Sequence, residues 1–364
     1  MSTPAERVLG WDLLRGVGAL MVAFYHLSYW LGLTELPALG TYGVYLFFVL
    51  SGASLAYVYP AERVRGASDI LRFLATRWLR LAPLYLLLCV VFIAMLSVHN
   101  GQLVNRLPLR LALNASFAFG VHDPAVWALL IGGWTLGIEF VYYLFFPLLA
   151  RVLVDWRASL LLMAVLVALQ WWWIYRTVGA AGWNEGVIAY HHAPAFAAYF
   201  FGGCVLGYRQ RSGAPGAPEW QGWLVAAAWV VLLLALMPPA PGQELLGARG
   251  AVLFTSVFVA VWLSGRVRLR GRTAALAEWF GDVTFGLYLL HPILLFGLLW
   301  FVAPDATKWP MPARGLLLIA VMAVAATLAA LSERRLERPL RRWSQRRLRR
   351  PAPPRQSEAA SSSS

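Results

Sequence analysis

Charge is scarce in this chain. Asp, Glu, Lys and Arg make up 13% of its 364 residues, while 60% are hydrophobic and the mean hydropathy is +0.63. A soluble domain carries about 25% charge, so the composition excludes a disordered chain, a collagen-like one and a typical cytosolic enzyme. Cysteine is nearly absent. Cys89 and Cys204 both lie in apolar segments, which excludes a disulfide framework and a thiolate metal site. Lysine is rarer still: 30 of the 31 basic residues are Arg, and only Lys308 is not. The net charge of +14 would suit nucleic acid if the bases shared one soluble face, but they stand between apolar runs, so no nucleic-acid partner is expected. There is no internal repeat.

What the chain has in abundance is membrane material. Eighteen Trp, nineteen Phe and fourteen Tyr suit helices anchored at a membrane interface. Stretches long enough for a hydrocarbon core of roughly 30 Å fall near 8–31, 40–59, 78–97, 134–154, 157–175, 194–209, 221–238, 249–264, 278–302 and 313–332. The expected fold is an all-α polytopic bundle of about ten transmembrane helices over residues 1–340, with a basic and then disordered tail over 341–364. Asp12 and Arg15 interrupt the first stretch and no small-residue cleavage site follows, so it is read as a mature helix and not a signal peptide. With both termini placed in the cytoplasm, 24 bases fall inside and six outside, the partition expected when positive loops stay in. Nine Arg between Arg334 and Arg350 read as a topology anchor, or as a helix lying on anionic lipid. The patch from Leu109 to Gly120 is too short to span and is either re-entrant or the cap of a cavity.

Ionisable residues inside a bilayer cost several kcal/mol and default to function. Asp12, Arg15 and His26 lie in the first span, Glu139 in the fourth and His291 in the ninth. Arg15 and His26 are eleven residues apart, roughly 16 Å along a helix and within about 20° of the same face. Asp12 precedes Arg15 by three residues, the spacing of an intrahelical ion pair. Against these stand structural readings: snorkelling for Asp12 and Arg15, and a helix-tying hydrogen bond for His26.

These residues sit in blocks that resemble the membrane-bound acyltransferase 3 family, which includes bacterial polysaccharide O-acetyltransferases. The opening GWDLLRGVGALMVAFYH has the family's Arg and His with ten residues between them, at Arg15 and His26, with Trp11 in place of the usual Leu. GVYLFFVLSG is similar to the family's Gly, Phe-Phe and Ser-Gly run at Gly43, Phe47, Phe48, Ser51 and Gly52, and RWLRLAPLY to its Arg-x-x-Arg-x-x-Pro at Arg77, Arg80 and Pro83. WTLGIEFVYYLFFP matches at Trp134, Glu139, Tyr143 and Pro147, with Thr135 where Ser is usual. FGDVTFGLYLLHP matches at Gly281, Tyr288 and His291 but departs at Thr284 and Phe285, and Glu337 and Pro339 carry the closing Glu-x-Pro.

The resemblance implies an O-acyltransferase of the bacterial cytoplasmic (inner) membrane. It would pass an acyl group, most often acetyl, from cytoplasmic acetyl-CoA to a hydroxyl of a cell-envelope glycan, exopolysaccharide or lipid-linked oligosaccharide. Such chemistry needs a base for the hydroxyl proton and a donor for the oxyanion. His26 is the first choice for the base, or for a covalent acyl carrier. Glu139 is then the group orienting the imidazole or a base itself, unless it only pairs with Arg15. Arg77 and Arg80 suit the phosphates of the donor or serve as topology anchors. Ser51 and Gly52 offer a hydroxyl and a close backbone approach near the donor, or a helix crossing. Tyr288 and His291, four and seven residues after Thr284, share one face and either line the site or pack. His99, His122, His191 and His192 lack metal-ligand spacing, so no metal is expected. Trp127 and Trp183 are available to stack on sugar faces. The competing reading is a transporter or flippase for a lipid-linked saccharide, against which stands the absence of paired broken helices in corresponding halves.

Overall fold

A computed structural model describes residues 6–213, 216–238 and 240–348. These residues are all-helical, with one isolated bridge between Ala217 and Val267 and no strand. The helices are α1 (Leu9–Trp30), α2 (Pro37–Val58), α3 (Ala67–Asn100), α4 (Leu107–Ser116), α5 (Pro124–Trp127), α6 (Gly133–Val154), α7 (Trp156–Ile174), α8 (Trp183–Tyr190), α9 (Ala197–Arg211), α10 (Glu219–Ala235), α11 (Gly247–Ser264), α12 (Gly271–Phe301), α13 (Met311–Ser332) and α14 (Arg338–Arg347).

Seven of them, α2, α3, α6, α7, α11, α12 and α13, are long and apolar enough to cross a membrane. The expected count of about ten is not confirmed by length and composition alone, which pick out these seven among the described residues. The other three expected spans are helical, but α9 and α10 have only 15 and 17 residues, and the polar groups of α1 dilute its hydropathy although it runs for 22. Boundaries shift as well. The third span was expected from residue 78, yet α3 begins at Ala67, because residues too polar to count toward a hydrocarbon core still continue the same helix. The extension places Arg72, Arg77 and Arg80 on one rod.

The burial of each helix follows its composition. Within its membrane-length window α2 is 78% buried and α7 only 17%, so α2 is the axis of the bundle and α7 part of its rim. Glycine lets α2 lie against α9: a Cβ on Gly52 would sit 1.9 Å from the Phe200 carbonyl oxygen, and on Gly203 or Gly207 2.2 and 2.1 Å from those of Val49 and Ala53. Close backbone approach through small residues is a common way for membrane helices to gain packing. Gly52 is therefore a crossing residue, while its neighbour Ser51 turns to a cavity.

The patch from Leu109 to Gly120 folds as α4 and a short turn packed against the interior of α3, where the Trp78 indole N–H donates to the Ala115 carbonyl at 2.8 Å. Asn114 is its hub. The buried amide donates to the carbonyls of Arg110 (2.8 Å) and Trp127 (2.9 Å), and accepts from the Leu129 N–H (3.1 Å) and the Tyr85 hydroxyl. All four of its hydrogen-bonding positions are used, so the connection is pinned onto α3.

At the basic end a chain of ion pairs ties α1, α12 and α14 together. Arg15 binds Asp12, Asp12 binds Arg7, Arg7 reaches Asp282 at 3.0 Å, and Asp282 holds Arg338 at 2.9 Å. Arg338 and Arg341 then meet buried Glu333 at 3.4 and 2.5 Å. The start of the Arg-rich run is thus docked on the protein. Its end and the tail expected to be disordered, from residue 349 on, lie outside the described residues.

Candidate active site

Two cavities occupy the middle of the bundle, one behind the other. The first, of about 150 Å³, opens toward the basic end and gathers Arg15 from α1, Ser51 and Ser54 from α2, Arg77 and Arg80 from α3, and Glu139 and Tyr143 from α6. Phe47, Thr284, Phe285 and Tyr288 complete its apolar side. The second, of about 160 Å³, is lined by Tyr25, His26, Thr41, Trp134, Trp183, Tyr190 and His191. Val44 and Tyr288 line both.

In the basic-end cavity Glu139 is the organising anion. It accepts from the hydroxyls of Ser51 and Tyr143. Tyr143 lies one helical turn after Glu139, so that contact is legible from spacing alone, but the meeting with Ser51 needs two helices. Arg15 is held by Asp12 and by the Ser54 hydroxyl, so the intrahelical pair expected from the spacing forms and the alternative pair of Arg15 with Glu139 does not. Arg77 lies over the ring of Tyr59 at 4.6 Å and within 5.8 Å of the Phe73 and Tyr143 ring centroids. Its Nε is buried with no hydrogen-bond partner. An orphaned guanidinium N–H in a cavity with two further arginines is a donor arrangement that fits a phosphate.

His26 is not in that cavity. Glu139 therefore does not orient its imidazole, which corrects the expected relay. The partner is His291 of α12: His26 Nδ1 lies 3.0 Å from His291 Nε2, and His291 Nδ1 lies 3.0 Å from the Leu287 carbonyl oxygen. A carbonyl only accepts, so His291 carries its proton on Nδ1. In the neutral ring Nε2 is then an acceptor, His26 Nδ1 must donate to it, and the lone pair of His26 is left on Nε2. The ring is further clamped by Trp30, which stacks on it at 4.9 Å. The result is an oriented base whose free nitrogen has its tautomer set by a carbonyl two links away.

The rest of the second cavity is aromatic. Trp134 and Trp183 both line it, whereas Trp127 lies elsewhere, beneath Arg110 at 5.2 Å. His191, in the connection after α8, has its ring 4.1 Å from that of Trp134. Burial, reinforced by the charge of His192, pushes its pKa down to about 3, so it stays neutral in ordinary conditions. His192 contacts Asp123 at 3.3 Å and His122 is exposed beside the same carboxylate, an arrangement that staples two connections. His99 stacks on Trp300, 4.5 Å away. Thr41 donates to buried Glu244 at 2.9 Å. Glu244 was not singled out in the sequence because it lies in a connection with no motif around it.

The family model described as "Acyltransferase domain", of the acyltransferase 3 family, matches residues 8–332. The chain belongs to the acyltransferase 3 family. The match takes in both cavities. Among curated relatives, the chain is 25% identical over 320 residues to "Putative acetyltransferase ORF330" of Acidianus two-tailed virus, covering 84% of this chain and 90% of that protein. It is 39% identical over 85 residues to "Protein 2 in picA locus" of Rhizobium radiobacter, covering 23% of this chain and 44% of that protein. No solved structure matches the chain significantly.

Proposed function

We propose that this multi-pass membrane acyltransferase moves an acyl group, acetyl in the first instance, from cytoplasmic acyl-coenzyme A to a hydroxyl of a glycan at the outer face of a bacterial inner membrane. One observation carries the reading: an arginine-lined cavity at the basic end meets, at Val44 and Tyr288, an aromatic cavity holding an imidazole with a free nitrogen. The partition of basic residues supports a cytoplasmic position for the arginine-lined end, on the side where coenzyme A resides. Arg77, Arg80 and Arg15 supply positive charge for the donor's phosphates, and Ser51 positions Glu139 beside them. The aromatic rings of the second cavity offer flat apolar faces to a sugar.

In the resulting reaction His26 Nε2 takes the proton of the acceptor hydroxyl as its oxygen attacks the thioester carbonyl. The carbon–sulfur bond breaks, and the thiolate of coenzyme A leaves with the proton returned from His26. His291 holds the ring throughout and stabilises the imidazolium through its Nε2, which accepts from the His26 Nδ1–H. The balance is one ester and one free thiol per thioester consumed. No metal is required.

The test is incubation of the purified protein with radiolabelled acetyl-coenzyme A and candidate glycan acceptors. Label appearing in the glycan supports the reading, and label that stays wholly in the donor under conditions where the donor binds overturns it. Orientation is tested separately with reporters, expected inside after Arg211 and Arg272 and outside near Gln102. The reverse pattern would remove coenzyme A as the donor.

A further inference from the structure

The two cavities meet at a junction, and its sides are rigid. Val44 of α2 forms one side and the Tyr288 ring of α12 the other. Phe47 meets that ring edge-on at 5.7 Å. At its far end the Tyr288 hydroxyl donates to the Gly132 carbonyl at 3.0 Å and lies 3.1 Å from the Thr135 hydroxyl, which is itself 2.8 Å from the same carbonyl. Gly132 has φ of +78°, and a Cβ there would stand 2.7 Å from the Tyr288 hydroxyl. Glycine is thus required both by the left-handed backbone and by the approach of the phenol. A ring fixed at its base by a buried helix, at its edge by Phe47 and at its tip by the first turn of α6 does not swing as a gate.

That geometry bears on the acyl group. A donor entering the arginine-lined cavity brings its thioester to the junction, where a hydroxyl held by the base in the second cavity can reach it. A short acyl group ends there. Each further methylene has to push past Tyr288 and Val44 into the space the acceptor occupies. Resting on the reading of the protein as an acyl-coenzyme A transferase, we infer that Tyr288, with Val44, narrows the junction at which thioester and acceptor hydroxyl meet, and so is the specificity-determining residue for acyl chain length and limits the water that reaches the thioester.

The experiment measures kcat/KM for acetyl-, butanoyl- and octanoyl-coenzyme A with one acceptor, together with thioester hydrolysis in its absence. Wild type should fall steeply with length, since one methylene in a restricted pocket changes kcat/KM about tenfold. Tyr288→Ala should raise the ratio of butanoyl to acetyl transfer about tenfold and raise acceptor-independent hydrolysis to carboxylate and thiol, whereas Tyr288→Phe, which keeps the ring, should retain the wild-type length preference. A folded Tyr288→Ala protein with the wild-type length profile overturns the inference. Should that variant not fold, Val44→Ala opens the same junction from the other side, and an unchanged profile there overturns it equally. Failure of wild type to transfer any acyl group sinks the underlying reading instead, a result distinct from transfer with an unaltered profile in the variants.

Discussion

The two cavities solve opposite problems with opposite materials. The basic-end cavity is built from charged groups, with Arg15 paired to Asp12 and Glu139 held by the Ser51 and Tyr143 hydroxyls, and it leaves the Arg77 Nε–H without a partner. The aromatic cavity has no carboxylate in its lining, and its titratable groups there are imidazoles and phenols. Charge is costly in a low-dielectric interior unless paired or awaiting a charged partner, so the first cavity is suited to hold an anion. Neutral groups with fixed tautomers suit the second to proton transfer. Under the proposed function, binding and chemistry fall to different cavities, and variants in the two regions should fail in different ways.

The largest expected effect is in the aromatic cavity. His26→Ala should lose transfer by about two to four orders of magnitude while donor affinity stays within twofold, measured by equilibrium binding of acetyl-coenzyme A and by turnover. Near wild-type turnover in a folded variant would dissolve the division of labour. Next is His291→Ala, which leaves the base in place but frees its ring. Turnover should fall about a hundredfold with a changed pH profile, as expected for a misplaced catalytic group, and His291→Gln, which can still accept from His26 Nδ1, should recover part of it. A purely structural role for His291 would leave the pH profile alone.

In the other cavity, Arg77→Ala should weaken donor binding about ten- to a hundredfold through loss of one charge-assisted contact of roughly 1.5–3 kcal/mol. The pH dependence of turnover at saturating donor should not move. A changed profile with intact donor affinity would place Arg77 on the wrong side of the comparison. The smallest effect on activity belongs to His191, which should be replaceable by Gln at pH 7 with little loss. Its depressed pKa means that the unfolded chain binds a proton below about 6.5 while the folded protein resists it down to about 3. Stability is therefore lost as pH falls through that window, by up to about 1.4 kcal/mol per pH unit. His191→Gln should flatten that decline between pH 6.5 and 5, read by thermal unfolding in detergent at several pH values, and an equally steep decline in the variant would rule His191 out as its source.

Much of this was legible in the linear chain, and the limit is a physical one. Helical spacing is local, so the Asp12–Arg15 pair, the turn joining Glu139 to Tyr143, and the shared face of Thr284, Tyr288 and His291 all follow from 3.6 residues per turn. Composition and the distribution of arginine mark a helical membrane protein, and the ordered blocks from Arg15 to His291 mark the family before any coordinate is known. Partners across helices have no such rule. His26 and His291 are 265 residues apart, Ser51 and Glu139 are 88 apart, and Val44 meets Tyr288 only because α1, α2, α6 and α12 pack as they do. From the sequence, Glu139 is the carboxylate expected to orient His26 or to act as a base itself. Packing gave that carboxylate to two hydroxyls, and gave the imidazole another imidazole, because contacts between helices depend on which backbones can approach closely and at what angle. The residue types and their helical faces were determined by the sequence alone, whereas the pairing of faces, and with it the junction of the two cavities, was decided by the tertiary structure.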